Sequence, residues 1–354
     1  MKVCIIGCGA VARRMHIPVF RALPDVEVVS VVDCSEGLAK EVSKEFRIRK
    51  YYTDYTKALT ETDADIVSIC TPSSTHAEII MQAAQLRKHV LAEKPLTVDL
   101  DEGKKILEVV KDNHVQLGVV FNYRSVDVAQ QVHETLQQKK IGRIVSMVGT
   151  AHTPCPSSWT SGRWLYHEGG ALDDFGPHLI DLLLWSNPST IESVTAQGGD
   201  FTGGFNFISH IHVSMKFKDT SLALADISWL NDSFLFNLDV HGTAGRIMCD
   251  VRNGRWYKTH GQVSSPLTDM NRTFKDSLKM MTSMVSGKYF KGGITHHSKS
   301  IGGFIDAVKT KSRPPVTGEE ALRVTAVSTA AKLSLKTHKT VQIDEIMENS
   351  HFKC

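Results

Sequence analysis

Near its amino terminus the chain reads Val3-Cys4-Ile5-Ile6-Gly7-Cys8-Gly9-Ala10-Val11-Ala12. The apolar run before Gly7 predicts a fully buried strand, and a helical pattern follows it through about Ala22. The spacing Gly-x-Gly-x-x-Ala allows a tight turn and lets the backbone approach a pyrophosphate at the start of a helix. We therefore predict that a dinucleotide is bound by Gly7, Gly9, Ala10, Val11 and Ala12.

The second predicted strand, residues 26–32, ends at Asp33. An acidic residue about 20 positions beyond the glycine loop accepts hydrogen bonds from the adenosine ribose hydroxyls. Its charge would also repel a 2′-phosphate, so Asp33 favours NAD over NADP. NADP stays possible, because a phosphate partner could come from Arg13, Arg14 or Lys40. The alternative role of Asp33 is a helix cap before Ser35.

Strands and helices then alternate up to Asn122. The pattern predicts helices at 35–46, 54–59, 77–86 and 99–111, and strands near 51 and at 66–70, 89–92 and 116–120. Such alternation predicts a parallel doubly wound sheet, a Rossmann domain, over residues 1–122. Ligands of such sheets bind beyond the carboxyl ends of the strands. We therefore predict a cofactor crevice lined by Thr71, Pro72, His76, Glu93, Lys94 and Asn122.

Beyond residue 122 the pattern changes to a helix at 125–138 and a strand at 142–151. Residues 152–168 are rich in Pro, Ser, Trp and His without periodicity, and we predict a loop that closes over a substrate. Aromatic faces and polar tips suit a sugar-like ligand. The predicted substrate contacts are Arg163, Trp164, Tyr166 and His167, with ordinary loop packing as the alternative.

The remaining chain predicts a second, α+β domain over residues 123–354. Strand-like runs at 191–196, 208–217, 221–228, 234–241 and 246–250 are separated by short turns, which is typical of an antiparallel open sheet. Helices are predicted at 274–285, 295–309 and 318–336, the last with a capping box of Thr317 and Glu320. We expect these C-terminal helices to pack back on the first domain. Trp229, Phe234 and Phe236 face either a partner or the core.

Between these parts lies Gly169-Gly170-Ala171-Leu172-Asp173-Asp174-Phe175-Gly176-Pro177-His178-Leu179-Ile180-Asp181. On a helix, Asp174 and His178 would project from one face, whereas Asp173 would not. A carboxylate that orients an imidazole makes a usable general base or acid. The alternative is a structural pair on a buried helix, anchored by the apolar run 179–185.

Composition excludes several classes of protein. The 354 residues are 42% hydrophobic and 22% charged, with a net charge of +3 and no basic stripe, which argues against nucleic acid. The seven cysteines are scattered without a Cys-x-x-Cys pair, so we predict reduced thiols and no metal site. No apolar run approaches the ~18 residues of a membrane span. The first strand follows Met1-Lys2 at once and leaves no room for a signal peptide. We predict a cytoplasmic protein without a membrane partner.

Several of these motifs, in this order, resemble the glucose–fructose oxidoreductase/inositol dehydrogenase (Gfo/Idh/MocA) family. They are the glycine loop, Thr71-Pro72 with His76, Glu93-Lys94-Pro95, Asn122-Tyr123-Arg124, and Gly169-Gly170 with Asp174, His178 and Asp181. The resemblance implies a cis Lys94–Pro95 bond that would aim Lys94 into the crevice. It also implies a homodimer or homotetramer formed through the open sheet. Tyr123 and Arg124 are further predicted substrate contacts, and Asp181 either hydrogen-bonds the substrate or only caps the pair of Asp174 and His178.

Together these observations predict an NAD(P)-dependent oxidoreductase acting on a hydroxyl or ketone of a sugar, cyclitol or sugar derivative. In oxidation, His178 would take the hydroxyl proton, Asp174 would orient His178, and Lys94 would polarise the reacting oxygen. One alternative is an NAD-dependent glycosidase on the same scaffold. A second is a non-catalytic dinucleotide-binding regulator, against which the presence of all three residues argues.

Overall fold

The computed structural model describes residues 1–155, 170–201, 207–259 and 288–348, with side chains in the last range from Ile294 onward. The chain divides into two compact units. Unit 1 comprises Met1–Asn122 and Ile294–Thr325, and unit 2 comprises Tyr123–Gly293 and Ala326–Cys354. Among the described residues, no helix combines the length and the apolar character that crossing a membrane requires.

Unit 1 contains a six-stranded sheet in the order β3-β2-β1-β4-β5-β6, and every pairing in it is parallel. Its strands are β1 (Lys2–Ile6), β2 (Glu27–Val32), β3 (Lys50–Tyr52), β4 (Ile66–Ile69), β5 (His89–Glu93) and β6 (Leu117–Val120). Because the order reverses between β1 and β4, a ligand crevice is expected at their carboxyl ends. The predicted doubly wound parallel sheet is confirmed.

The helices of unit 1 follow the strands as predicted. A five-residue π-helix (Ala12–His16) leads into α1 (Ile17–Ala22), and the later helices are α2 (Glu36–Glu45), α3 (Tyr55–Glu61), α4 (His76–Gln85) and α5 (Leu100–Asp112). Side-chain oxygens of Ser35, Asp54 and Asp99 accept backbone N–H groups at the starts of α2, α3 and α5. These caps satisfy N–H groups that a helix start leaves without an internal partner.

The core of unit 1 includes a helix from the C-terminal part of the chain. This helix, α9 (Lys288–Thr310), begins seven residues before the predicted start and places Ile301, Phe304 and Ile305 among buried residues of the sheet. A Cβ at Gly118 of β6 would lie 2.5 Å from the Phe304 ring, so helix and strand are in close contact. The next helix, α10 (Gly318–Thr337), starts with the predicted capping box of Thr317 and Glu320.

Unit 2 contains an eight-stranded sheet in the order β13-β12-β11-β7-β10-β9-β8-β14. Its strands are β7 (Ile144–Pro154), β8 (Ile191–Gly199), β9 (His210–Phe217), β10 (Leu222–Ser228), β11 (Leu230–Gly242), β12 (Gly245–Asp250), β13 (Arg255–Thr259) and β14 (Val341–Gln342). Its other helices are α6 (Asp127–Gln137), α7 (Ala171–Asp174), α8 (Gly176–Ser186) and α11 (Ile343–Glu348). One face packs on α8, whose Leu179, Ile180 and Leu183 are fully buried.

The sheet of unit 2 is not purely antiparallel, and its strands are not ordered as they follow in the chain. Strand β7 lies between β10 and β11 and pairs with β10 in parallel. It also runs to Pro154, three residues beyond the predicted end, so His152 lies in a strand rather than in a loop. Trp229 and Phe236 are buried in the core. The predicted helix at 274–285 and the rest of the predicted loop, residues 156–168, fall outside the described residues.

Candidate active site

The glycine loop has the geometry that a dinucleotide needs. Gly7 has a positive φ of 96°, and a Cβ there would lie 2.5 Å from the carbonyl oxygen of Cys70. Only glycine therefore fits at this position. Around a Cβ at Gly9, by contrast, no atom of the described residues lies within 4 Å. The backbone at Gly9 is thus open to a ligand, and the loop fits the pyrophosphate of NAD. Ala12, the third motif position, is fully buried.

Asp33 accepts backbone hydrogen bonds from both the glycine loop and the segment before α2. One carboxylate oxygen accepts the N–H of Cys8 in the glycine loop at 2.9 Å, and the other accepts the N–H of Ser35 at 2.9 Å. Each oxygen has a further lone pair for a ribose hydroxyl. Arg13, one of the three possible partners of a 2′-phosphate, instead forms ion pairs with Glu41 and Glu45.

His76 is fully buried at the start of α4. Its Nδ1 lies 2.9 Å from the carbonyl oxygen of Pro95, and its Nε2 lies 3.0 Å from that of Thr71. The imidazole thus joins the segment after β4, which continues into Pro72, to the segment after β5. It holds the Lys94–Pro95 turn against its neighbour, and this turn contains a cis peptide bond, as the resemblance implied.

Glu93 precedes this turn and is the centre of a buried polar group. We call His16, Ser68, Glu93 and His297 the Glu93 cluster. Glu93 Oε1 lies 2.8 Å from His16 Nε2 and 3.7 Å from His297 Nε2, and His16 Nδ1 lies 2.8 Å from the Ser68 hydroxyl. The backbone N–H of Lys94 donates to Glu93 Oε2 at 3.3 Å. Glu93 therefore fixes the backbone from which the half-buried Lys94 side chain extends.

The Glu93 carboxylate is held in its charged form. Burial acts to raise the pKa of Glu93, but hydrogen bonding and charge interactions with His16 and His297 lower it well below its ordinary range. Sequence reasoning missed both histidines. Ala12, His16 and Phe20 are all fully buried and recur every four residues, a spacing that could have revealed a histidine facing the sheet. No comparable signal connects His297 with a glutamate 204 positions earlier.

In unit 2, Asp174 and His178 lie on two short helices rather than on one. Asp174 ends α7 and His178 lies in the first turn of α8, with Phe175 between the helices. Pro177 has no N–H, which explains the interruption of the helical hydrogen bonds at this point. Both side chains are buried, with relative exposures of 7% for Asp174 and 8% for His178.

Aromatic rings surround the imidazole of His178. The ring centroids of Tyr123 and Phe175 lie 4.9 Å and 5.8 Å from it, both in edge-on arrangements. Tyr123 also stacks on Phe236 at 4.2 Å. Burial raises the pKa of Tyr123, and the charge of Asp174 adds to this against the opposing effect of Arg252. The Tyr123 phenol therefore stays neutral, and the rings fix the plane of His178 and limit its contact with water.

Arg124 and Asp181, both expected to contact the substrate, form a buried ion pair. Arg124 Nε and Nη2 donate to the two Asp181 oxygens at 2.8 Å and 2.6 Å, and the side chains are 8% and 1% exposed. A two-point pair of this kind fixes geometry, and it joins the 3-10 helix Asn122–Ser125 to α8. Asp173, next to Asp174, instead pairs with Lys332 at 2.6 Å. The other predicted substrate contacts, Arg163, Trp164, Tyr166 and His167, lie outside the described residues.

Comparison with known proteins gives a match to a protein-family model in each of the two units. Residues 1–121 match the model of an oxidoreductase family with an NAD-binding Rossmann fold. Residues 129–248 match the GFO/IDH/MocA C-terminal domain.

Individual relatives span the whole chain or about half of it. The myo-inositol 2-dehydrogenase of Thermotoga maritima is 24% identical over 98% of this chain and 100% of its own. The levoglucosan dehydrogenase of Pseudarthrobacter phenanthrenivorans is 32% identical over 46% of this chain and 42% of its own. The WlbA dehydrogenase of Bordetella pertussis, solved in complex with NADH and UDP-GlcNAcA, matches with a TM-score of 0.84 at 20% identity and 97% coverage of both chains.

Proposed function

The chain belongs to the Gfo/Idh/MocA family of oxidoreductases and has its NAD-binding Rossmann domain, and from this we propose that it oxidises a hydroxyl group of a sugar or cyclitol, or reduces the corresponding ketone. NAD, when bound, supplies the hydride acceptor at the nicotinamide ring. The glycine loop would hold the pyrophosphate and Asp33 the adenosine ribose. The rest of the cofactor site would be lined by Asn122 and by the residues that follow β4 and β5.

The proposed catalytic group is Lys94, Asp174 and His178. His178 accepts the proton of the substrate hydroxyl, and Asp174 orients the imidazole and stabilises its protonated form. Lys94 donates a hydrogen bond to the reacting oxygen and favours its alkoxide character. The observation that carries this proposal is the setting of His178, a buried imidazole held by aromatic rings and preceded by a buried carboxylate.

The remaining predicted residues support this group. His76 and Glu93 hold the backbone on both sides of Lys94, and the Arg124–Asp181 pair holds α8. We assign these four residues positioning roles.

The class of substrate is supported by the relatives, which include dehydrogenases named for myo-inositol and levoglucosan. We further propose assembly as a homodimer or homotetramer through the outer face of the second sheet. Val148, Leu222 and Leu235 are exposed there.

The test is a panel of polyols, cyclitols, sugars and nucleotide sugars, followed by absorbance of the reduced nicotinamide with NAD and with NADP. With the best substrate, Lys94→Ala and His178→Ala should each lower kcat by about 10²–10⁴-fold, with the Kd for NAD changed only slightly. Wild-type turnover in either variant would exclude this mechanism. Glycoside cleavage without net cofactor reduction would instead indicate a glycosidase, and NAD binding without any turnover a regulator.

Two matched controls separate catalysis from folding. Lys88 precedes β5, the strand after which Lys94 lies, and its Nζ donates to the carbonyl oxygen of Ala64 at 2.8 Å. His133 is a half-buried histidine of unit 2 whose ring stacks on Trp185 at 3.8 Å. Lys88→Ala and His133→Ala should keep kcat close to the wild-type value.

A further inference from the structure

Three histidines and one aspartate converge on the outer face of the second sheet. We call His152, His210, His212 and Asp226 the Asp226 cluster. Asp226 Oδ1 lies 3.0 Å from His152 Nε2, 3.3 Å from His212 Nε2 and 3.6 Å from His210 Nε2. The Nε2 atoms of His210 and His212 are 3.3 Å apart. Three imidazole nitrogens thus lie within 3.6 Å of one carboxylate oxygen, and the ligand atoms of His152, His210 and Asp226 all lie within 4.8 Å of one another.

The strand register explains this convergence. Asp226 of β10 lies directly across from His212 of β9, and Ser228, two residues further along β10, lies across from both His210 and His152. Residues two apart on a strand point to the same face, and diagonal neighbours remain within reach of long side chains. Three adjacent strands, β7, β10 and β9, therefore each contribute to the cluster.

The Asp226 cluster is separate from the proposed catalytic group. A Cβ at Gly149 of β7 would lie 2.6 Å from Leu179 of α8, and a Cβ at Gly176 of α8 would lie 3.3 Å from Ile227 of β10. The α8 face of the sheet therefore carries Gly149 and Ile227. His152 and Asp226 are an odd number of residues from these positions and point to the opposite face.

The atoms facing each other in the cluster lack suitable partners. His152 Nε2 and Asp226 Oδ1 are both buried, and neither has a hydrogen-bond partner among the described residues. An unsatisfied buried polar atom destabilises the folded state. A bound cation would satisfy all four side chains.

The distances fit a particular class of cation. Zinc binds imidazole nitrogens and carboxylate oxygens at about 2.0–2.2 Å in a tetrahedron, which places the donor atoms about 3.3–3.5 Å apart. The three distances from Asp226 Oδ1 and the distance between His210 and His212, 3.0–3.6 Å, are close to this value. Imidazole ligands favour zinc and neighbouring transition metals over Mg²⁺ or Ca²⁺, which prefer oxygen ligands.

We propose that the Asp226 cluster is a four-coordinate site for a divalent transition metal, of which Zn²⁺ is the representative. The metal links β7, β9 and β10 on the face of the sheet opposite α8. Sequence analysis predicted no metal site from the scattered cysteines alone. The four residues of the Asp226 cluster lie up to 74 positions apart, and only His210 and His212 are near neighbours in the chain.

The direct test is titration of chelator-treated, full-length protein with Zn²⁺, followed by calorimetry in the presence of a competing chelator. We expect the wild type to bind one equivalent of Zn²⁺ per chain. This binding should be lost when a ligand residue is substituted. His210→Ala and Asp226→Ala should each weaken binding by at least about 100-fold, the upper end of what loss of an outer-shell partner costs. Co²⁺ in the same site should give the visible absorption bands of a tetrahedral complex, and these should disappear in both variants.

The matched control is His241→Ala. His241 is also on a strand of this sheet, and its Nε2 lies 3.4 Å from Asp239 Oδ1. Arg246 already donates to both Asp239 oxygens, so this pair offers no comparable site. His241→Ala should bind Zn²⁺ as the wild type does.

Folding of the metal-free variants is checked by far-UV circular dichroism. If an alanine variant fails to fold, His212→Gln replaces it, because the His212 side chain is 50% exposed and its loss disturbs little packing. The proposal would be overturned if the wild type bound Zn²⁺ no more tightly than the folded ligand variants.

Discussion

The Glu93 cluster and the Asp226 cluster contain the same kinds of side chain but hold them differently. Around Glu93, one tautomer of His16 satisfies both of its contacts, since Nε2–H donates to the carboxylate and Nδ1 accepts from the Ser68 hydroxyl. Around Asp226, three Nε2 atoms face a single oxygen. The hydrogen bonds of the Glu93 cluster are therefore complete, whereas the facing atoms of the Asp226 cluster would be satisfied by a bound cation.

Burial separates the two clusters further. The His16 side chain is 0% exposed and that of Glu93 12%, whereas the Asp226 side chain is 23% exposed and that of His212 50%. Water therefore screens the Asp226 cluster more strongly. A histidine beside a carboxylate therefore indicates a function only when the hydrogen-bond partners and the burial of each atom are known. Three measurements test this difference.

The largest effect is expected for Glu93→Ala. Removing the buried carboxylate leaves the His16 imidazole and the Lys94 N–H without their hydrogen-bond acceptor, and an unsatisfied buried donor costs about 1–3 kcal/mol. Urea unfolding should therefore show a lower free energy of unfolding by this amount. The turn at Lys94 would also lose its support from Glu93 Oε2, so kcat should fall in the variant that still folds. A free energy within about 0.5 kcal/mol of the wild-type value, the range of ordinary surface substitutions, would contradict the role given to this cluster.

The second measurement is the pH dependence of stability. The folded state lowers the pKa of Glu93, so in acid the unfolded state binds the proton more readily and stability falls as the pH falls. The contribution is complete above the unfolded pKa of about 4.3 and is lost between there and the lower folded pKa. Glu93→Gln should remove up to about 1.4 kcal/mol per pH unit of this slope. Parallel curves for the two proteins would rule out the assignment.

The smallest effect is expected for Asp226→Ala in the presence of a chelator. The cluster is partly exposed and lacks complete hydrogen bonds, so without metal the substitution should change the free energy of unfolding by less than about 1 kcal/mol. With Zn²⁺ at 100 times its Kd, the free energy of unfolding of the wild type should rise by about 2.7 kcal/mol. That of the variant should not change. A large loss of stability in the metal-free variant would show that the carboxylate acts as an ordinary ion-pair partner, and the contrast between the clusters would disappear.

Much of unit 1 could be predicted because its signals are local. The glycine loop, the strand ends and the caps each lie within a few residues of one another, and alternation of strand and helix fixes a parallel sheet. Prediction was weaker at helix bounds, where α9 begins seven residues early. The role of His76 was also hidden, since its two carbonyl partners belong to separate segments.

Unit 2 was harder to predict because its arrangement depends on contacts between distant strands. The sequence indicated most of its strands, but the insertion of β7 between β10 and β11 depends on pairings across some 75 residues or more. The spacing of Asp174 and His178 predicted one shared helical face, whereas the helix break at Phe175 was not predicted. The neighbouring Pro177 could have indicated that break.

The sequence by itself determined the dinucleotide fold, the cofactor loop and the candidate residues Lys94, Asp174 and His178. In each case the signal comes from residues that lie close together in the chain. Tertiary structure alone decided that His16 and His297 support Glu93, that Arg124 pairs with Asp181, and that His152, His210, His212 and Asp226 meet. These contacts join strands and helices far apart in sequence. Their geometry follows from strand order, register and packing, which residue spacing does not encode.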